Sequence, residues 1–162
     1  MSYYTINEEA ARRGNDMNSF RDYKAGSATA EYRRMVDAAT ELAERQKQRV
    51  DPMYHEKIDR LLKIYCRKLA ENMNASYSIE ARCPSILISG GGNFPVRKKE
   101  KQNAARDRNL EEWNYIQGLL DKIRSVGTGG ISSDDPQAVE KLEAKGRQHR
   151  LDNDFAAMSD PA

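Results

Sequence analysis

At 162 residues the chain is long enough for one domain of ordinary size and too short for two substantial cores. Its 38% hydrophobic and 32% charged residues describe a polar protein with a thin core, the composition of long amphipathic helices with wide solvated faces. A formal charge of only +2, from 27 Lys and Arg against 25 Asp and Glu, excludes a general polycation, so any attraction to nucleic acid has to come from local clustering.

The opening TINEEAARR carries a capping-box pattern, with Thr5 facing a backbone N–H one turn on and Glu8 reaching back. A short first helix is expected from Ile6, loosening by Gly14, and the link NSFRDYKAGS offers Phe20 and Tyr23 to dock on the body. A long helix then begins at Ser27 or Thr29, with Tyr32, Met35, Val36, Ala39, Leu42, Ala43 and Val50 recurring every three or four positions on one face. In RVDPMYHEK, Asp51 fits an N-cap and Pro52 the first helical position, so one helix ends near Val50 and the next starts at Pro52. The second runs to about Met73, with Ile58, Leu61, Leu62, Tyr65, Leu69 and Met73 on one face. So short a break predicts an antiparallel hairpin with arms of about 30 Å.

The run SILIS, residues 85–89, is bracketed by Pro84 and Gly90 and predicts a short extended piece followed by a glycine loop. Such a piece makes no sheet alone; it lies against the helices or pairs with a partner or a second copy. From about Val96 to Val126 the chain reads as helix again. Its first half is basic; its second half carries Trp113, Ile116, Leu119, Leu120 and Ile123 and ends at Gly127, a C-cap candidate. The basic end is free to project. Asp135 and Pro136 repeat the cap-and-start punctuation before a short helix carrying Val139 and Leu142. From Gly146 to Ala162 the pattern is lost and a frayed, disordered tail is expected, leaving residues 1–145 as a single helical domain.

The stretch SGGGNFPVRKKEKQNAARDRN, residues 89–109, poses the functional question. It does not match GxxxxGK followed by Ser or Thr, nor GxGxxG, so the glycines fit a hinge better than a phosphate cradle. After them, Arg97, Lys98, Lys99, Lys101, Arg106 and Arg108 face only Glu100 and Asp107, a local excess of four. Arg97, Lys101 and Arg108 fall near one face with Lys98 adjacent, a row that suits phosphates along a duplex, where counterion release supplies affinity. Gln102 and Asn103 add hydrogen-bonding groups for phosphate or base edges. Charge runs are usually solvated helix surface. Cations at a helix N-terminus, however, oppose the macrodipole without a structural gain, which favours an acidic partner: DNA, RNA or an acidic protein surface.

Other chemistry finds little support. His55 and His149 have no second ligand at helical spacing, so no metal or cofactor is expected, and no catalytic set is legible. Cys66 and Cys83 form no CxxC pair and are expected as free thiols in a reducing compartment. The eight tyrosines serve either as stacking or interface anchors or, more ordinarily, as packing with a wet hydroxyl. MSYYTINEEAARR turns polar within a few residues and no run approaches a membrane span, so a cytoplasmic protein without membrane contact is expected.

The segments MSYYTINEEAARR, AGSATAEYR, RVDPMYHEKID, ARCPSILISGGGNFPVRKKEKQNAARDRN and GTGGISSDDPQAVEKLEAK resemble a family of small proteins carried by bacterial phages and conjugative elements. The likeness spans about residues 1–145, and NFPVRKKEKQNAARD is its most distinctive block. The family is in turn similar to a type II anti-CRISPR group that inhibits Cas9 and binds DNA. The resemblance implies a non-enzymatic accessory protein in a bacterial host, acting on a Cas9–guide RNA complex, with DNA contacted by the basic helix. It implies no catalytic residue. After KLEAK the likeness stops at Gly146, which puts any function needing a longer C-terminus in doubt. A DNA-processing accessory of phage or conjugative replication and transfer is the rival expectation; a structural protein that oligomerises through its hairpin is the third. The fold expected is all-α and elongated, with the hairpin at its centre.

Overall fold

A computed structural model describes residues 3–129 and 138–158. These residues form six α-helices and one 3-10 turn, with no strand among them. The helices are α1 Glu8–Asn18, α2 Ser27–Arg49, α3 His55–Glu80, α4 Ile86–Ser89, α5 Val96–Ser125 and α6 Ala138–Met158; the 3-10 turn is Pro52–Tyr54. The all-α expectation holds. α3 is the hub, touching α1, α2 and α5, and its largest contact is with α5.

The core follows the apolar stripes. Tyr32, Val36 and Ala43 of α2 pack with Ile58, Leu62, Tyr65 and Leu69 of α3 and Ile116, Leu119 and Ile123 of α5, all buried. Tyr32 is sealed in by donating to the Cys66 carbonyl oxygen at 3.0 Å and accepting from the Tyr4 N–H at 3.1 Å. Farther along, Lys47 of α2 pairs with Asp59 of α3 at 2.5 Å. Both cysteines are free thiols and buried; burial pushes the Cys66 thiol up to about 11, out of reach of ordinary thiolate chemistry.

Several boundaries differ from the sequence expectation. α1 starts at Glu8 because Asn7, not Thr5, caps it, accepting from the Ala10 N–H at 2.9 Å. It continues past Gly14 to Asn18 because Gly14 is a contact point: an added Cβ would lie 3.1 Å from Glu80 Cβ. α3 continues past Met73 to Glu80, with Ile79 buried. Residues 85–89 are not extended. Ser85 Oγ accepts from the Leu87 N–H, Ser89 N–H donates to the Ser85 carbonyl, and the run closes as the short helix α4. No strand among the described residues offers it a ladder, so its backbone groups bond locally. Phe20 does not dock and is 81% exposed, whereas Tyr23 does, donating to Glu8 Oε2. α6 runs through Gly146, so residues 146–158 are helical where a frayed tail was expected. The expected Asp135 cap and Pro136 start lie outside the described residues.

Glu8 also explains how α2 begins. The α2 N-cap, Gly26, has no side chain, and the Glu8 carboxylate takes that role from α1. It accepts from Gly26 N–H at 3.0 Å, Thr29 N–H at 2.7 Å, Thr29 Oγ1 at 2.6 Å and Tyr23 Oη at 2.6 Å. Burial alone would raise its pKa; the Thr29 hydroxyl, Tyr23 and the two backbone donors more than reverse this and hold it at about 2. The native state therefore binds a proton here less readily than the unfolded chain, whose glutamate titrates near about 4.3. The stabilisation is complete above that value and is lost as pH falls towards about 2. Glu8→Gln is expected to cost about 2 kcal/mol at neutral pH and to flatten the pH dependence of the urea midpoint below pH ~4.5.

The end of α5 is equally specific. Gly127 has φ +78° and its absent Cβ would stand 2.7 Å from Val50 Cγ1. Gly127→Ala meets both a left-handed backbone and a collision, and a loss of about 2 kcal/mol is expected in chemical denaturation.

Candidate nucleic-acid interface

The six basic residues singled out in the sequence all sit on the first half of α5, but the structure divides them. Arg106 turns inward. Its Nε donates to Glu80 Oε1 at 2.6 Å and its Nη2 to Glu80 Oε2 at 2.5 Å, a two-pronged pair with the last residue of α3. The bond to Glu80 holds the Arg106 proton more tightly than usual. Lys99 is half-buried and donates to Gln102 Oε1 at 2.8 Å. Both residues therefore have work inside the molecule.

Gln102 is withdrawn from any interface as well. It is 1% exposed, and its Nε2 donates to the Ile79 carbonyl at 2.8 Å, with the Cys83 and Glu80 carbonyls at 3.3 and 3.4 Å. The last carbonyls of a helix have no partner within it, and here α5 supplies one across the bundle. Asn18 of α1 adds a second donor, its Nδ2 reaching the Glu80 carbonyl at 2.9 Å. Asn103 stays exposed and accepts from Arg106 Nη1 at 3.2 Å.

The other four cations stand outward. Arg97, Lys98, Lys101 and Arg108 are exposed, and no ion pair among the described residues includes them. Lys98 is the telling position. It precedes buried Gln102 by four residues and buried Ala105 by seven, so it lies on the stripe that packs. It is exposed all the same, as is Val96 at 59%, both in the first turn of α5. That turn has no acidic residue and no side-chain cap, so the positive end of the helix dipole adds to the side-chain charge.

No family model matches the chain, and neither a curated protein nor a solved structure matches it.

Some neighbouring features escaped the sequence reading. Arg82, one residue past the α3 C-cap, is also exposed and outside every ion pair of the described residues. Beside it α4 presents Ile86, 51% exposed, and Leu87, 79% exposed. The glycine run between α4 and α5 is set by Gly90, at φ +77°, while a Cβ at Gly91 or Gly92 would meet nothing. The tyrosines mostly pack: Tyr32 and Tyr65 are buried, and exposed Tyr115 has the ammonium groups of Lys68 and Lys122 at 5.2 and 5.6 Å from its ring centre. His55 is taken by the Lys47 carbonyl at 2.9 Å, and no cluster of His, Cys, Asp and Glu among the described residues could hold a metal. No described helix is long and apolar enough to cross a membrane.

Proposed function

We propose that the protein acts by binding rather than catalysis, and that the first half of α5 is its contact with the phosphates of a nucleic acid. The observation that carries this is the exposed basic run: Arg97, Lys98 and Lys101, with Arg108 farther along, keep their charges free of the carboxylates of the described chain. Four cations on about 17 Å of helix, at about 1.5 Å per residue, match a short run of duplex phosphates. The sharper form of the reading is an accessory protein of a phage or conjugative element that inhibits a Cas9–guide RNA complex, with α5 competing for or sharing nucleic-acid contacts. That form rests on the likeness of NFPVRKKEKQNAARD and its companion segments.

Titration of a labelled 25-base-pair duplex tests the first part. Affinity is expected to fall about 100-fold between 50 and 200 mM salt if four phosphates are neutralised. Binding that ignores salt would remove the phosphate role. For the second part, the protein is added to a preassembled Cas9–guide complex before target DNA. Lost cleavage supports inhibition, and unaltered cleavage at excess protein argues against it.

A further inference from the structure

The projecting cations have an apolar neighbour that the phosphate reading leaves unused. Leu87 and Ile86 face solvent on α4, and that short helix is held in place from two sides. Ser85 N–H donates to the Met17 carbonyl of α1 at 2.9 Å. On the other side Cys83, 1% exposed, offers its carbonyl to Gln102 of α5 at 3.3 Å. The same Gln102 fixes the helical register of Lys98 and Lys101. Leu87 follows Cys83 by four residues and Lys98 precedes Gln102 by one turn, so leucine and cations lie within about 20 Å of each other. Arg82, five residues before Leu87, and Arg97, Lys98 and Lys101 at the start of α5 are exposed and outside every ion pair of the described residues.

An exposed leucine, linked through Cys83 and Gln102 to a helix start that carries unpaired cations, has a partner of definite chemistry. Duplex DNA supplies phosphates for the cations and, between adjacent base pairs, an apolar slot that a wedge opens at the cost of stacking. We infer that Leu87, backed by Ile86, is a wedge that enters a base step of the duplex held by α5. The inference rests on the phosphate reading and adds to it a deformed duplex as the bound form. The phosphate contacts are sensitive to salt; the wedge contributes an apolar increment that is not.

Two readouts separate the parts. A 25-base-pair duplex carrying 2-aminopurine at successive steps reports unstacking, and a salt titration of affinity reports phosphate contacts. The full-length protein is expected to raise the fluorescence at one step or a few. Leu87→Ala is expected to abolish that rise and weaken binding about tenfold with the salt slope unchanged, while Leu87→Phe restores both. Because Leu87 is so exposed, the variants should keep the wild-type thermal midpoint, which circular dichroism checks. Binding with the full salt slope but without a fluorescence rise, or an unaltered affinity for Leu87→Ala, overturns the wedge and leaves the phosphate reading standing. No duplex binding by the wild type removes both.

Discussion

Gln102→Ala should lower the stability of the protein by about 3 kcal/mol, more than a loss of its volume alone would produce. The substitution strips three groups at once. Inside the junction of α3, α4 and α5 the Cys83 carbonyl loses its donor, the Ile79 carbonyl keeps only the Arg82 N–H at 3.2 Å, and Lys99 loses its acceptor. A buried acceptor left unpaired costs about 1–3 kcal/mol, and the cavity adds to that. For a chain of this length the thermal midpoint should fall by about 6–12 °C. Gln102→Glu is a sharper variant, because it replaces the donor with a carboxylate facing carbonyl oxygens. Hydrogen exchange should place the loss at the end of α3 and the start of α5. A neutral result for both would mean that this junction does not hold the basic turn.

The second large effect is on binding. Replacing Arg97, Lys98, Lys101 and Arg108 together with Ala should weaken duplex binding by about 100-fold or more at 100 mM salt while leaving the fold intact. The four side chains are solvated and unpaired within the described chain, and alanine is the better helix former, so stability should hold or rise slightly. Arg106→Ala is the informative contrast. It breaks the fork on Glu80, at about 1 kcal/mol of stability, and should leave duplex affinity nearly unaltered. A count of basic residues treats the two variants alike; the structure separates them.

What could be read from the sequence was local. Asp51 caps the turn it precedes, accepting from the Met53 N–H at 3.0 Å, and Gly127 follows the α5 C-cap in the left-handed conformation. α2 and α5 begin and end within a residue or so of their apolar stripes and punctuation. What could not be read was capping at a distance. Glu8 looks like half of a capping box and serves another helix; Gln102 looks like a surface polar group and closes the end of α3. Gln46 does the same for α5, its Nε2 donating to the Val126 carbonyl at 2.8 Å. These partners lie 21, 23 and 80 residues away in the chain, beyond any window in which periodicity speaks. SILIS failed for another reason: three apolar residues between two serines carry no period that distinguishes a strand from one helical turn. The site was legible as a cluster and not as a geometry, since whether Arg106 faces out depends on where Glu80 falls.

The most direct test is the slope of the logarithm of duplex affinity against the logarithm of salt concentration, measured side by side for the wild type, the fourfold alanine variant and Arg106→Ala. The expected slope is about −3 to −4 for the wild type and for Arg106→Ala, and close to zero for the fourfold variant. Equal slopes for the wild type and the fourfold variant would contradict the assignment of α5 as the phosphate contact.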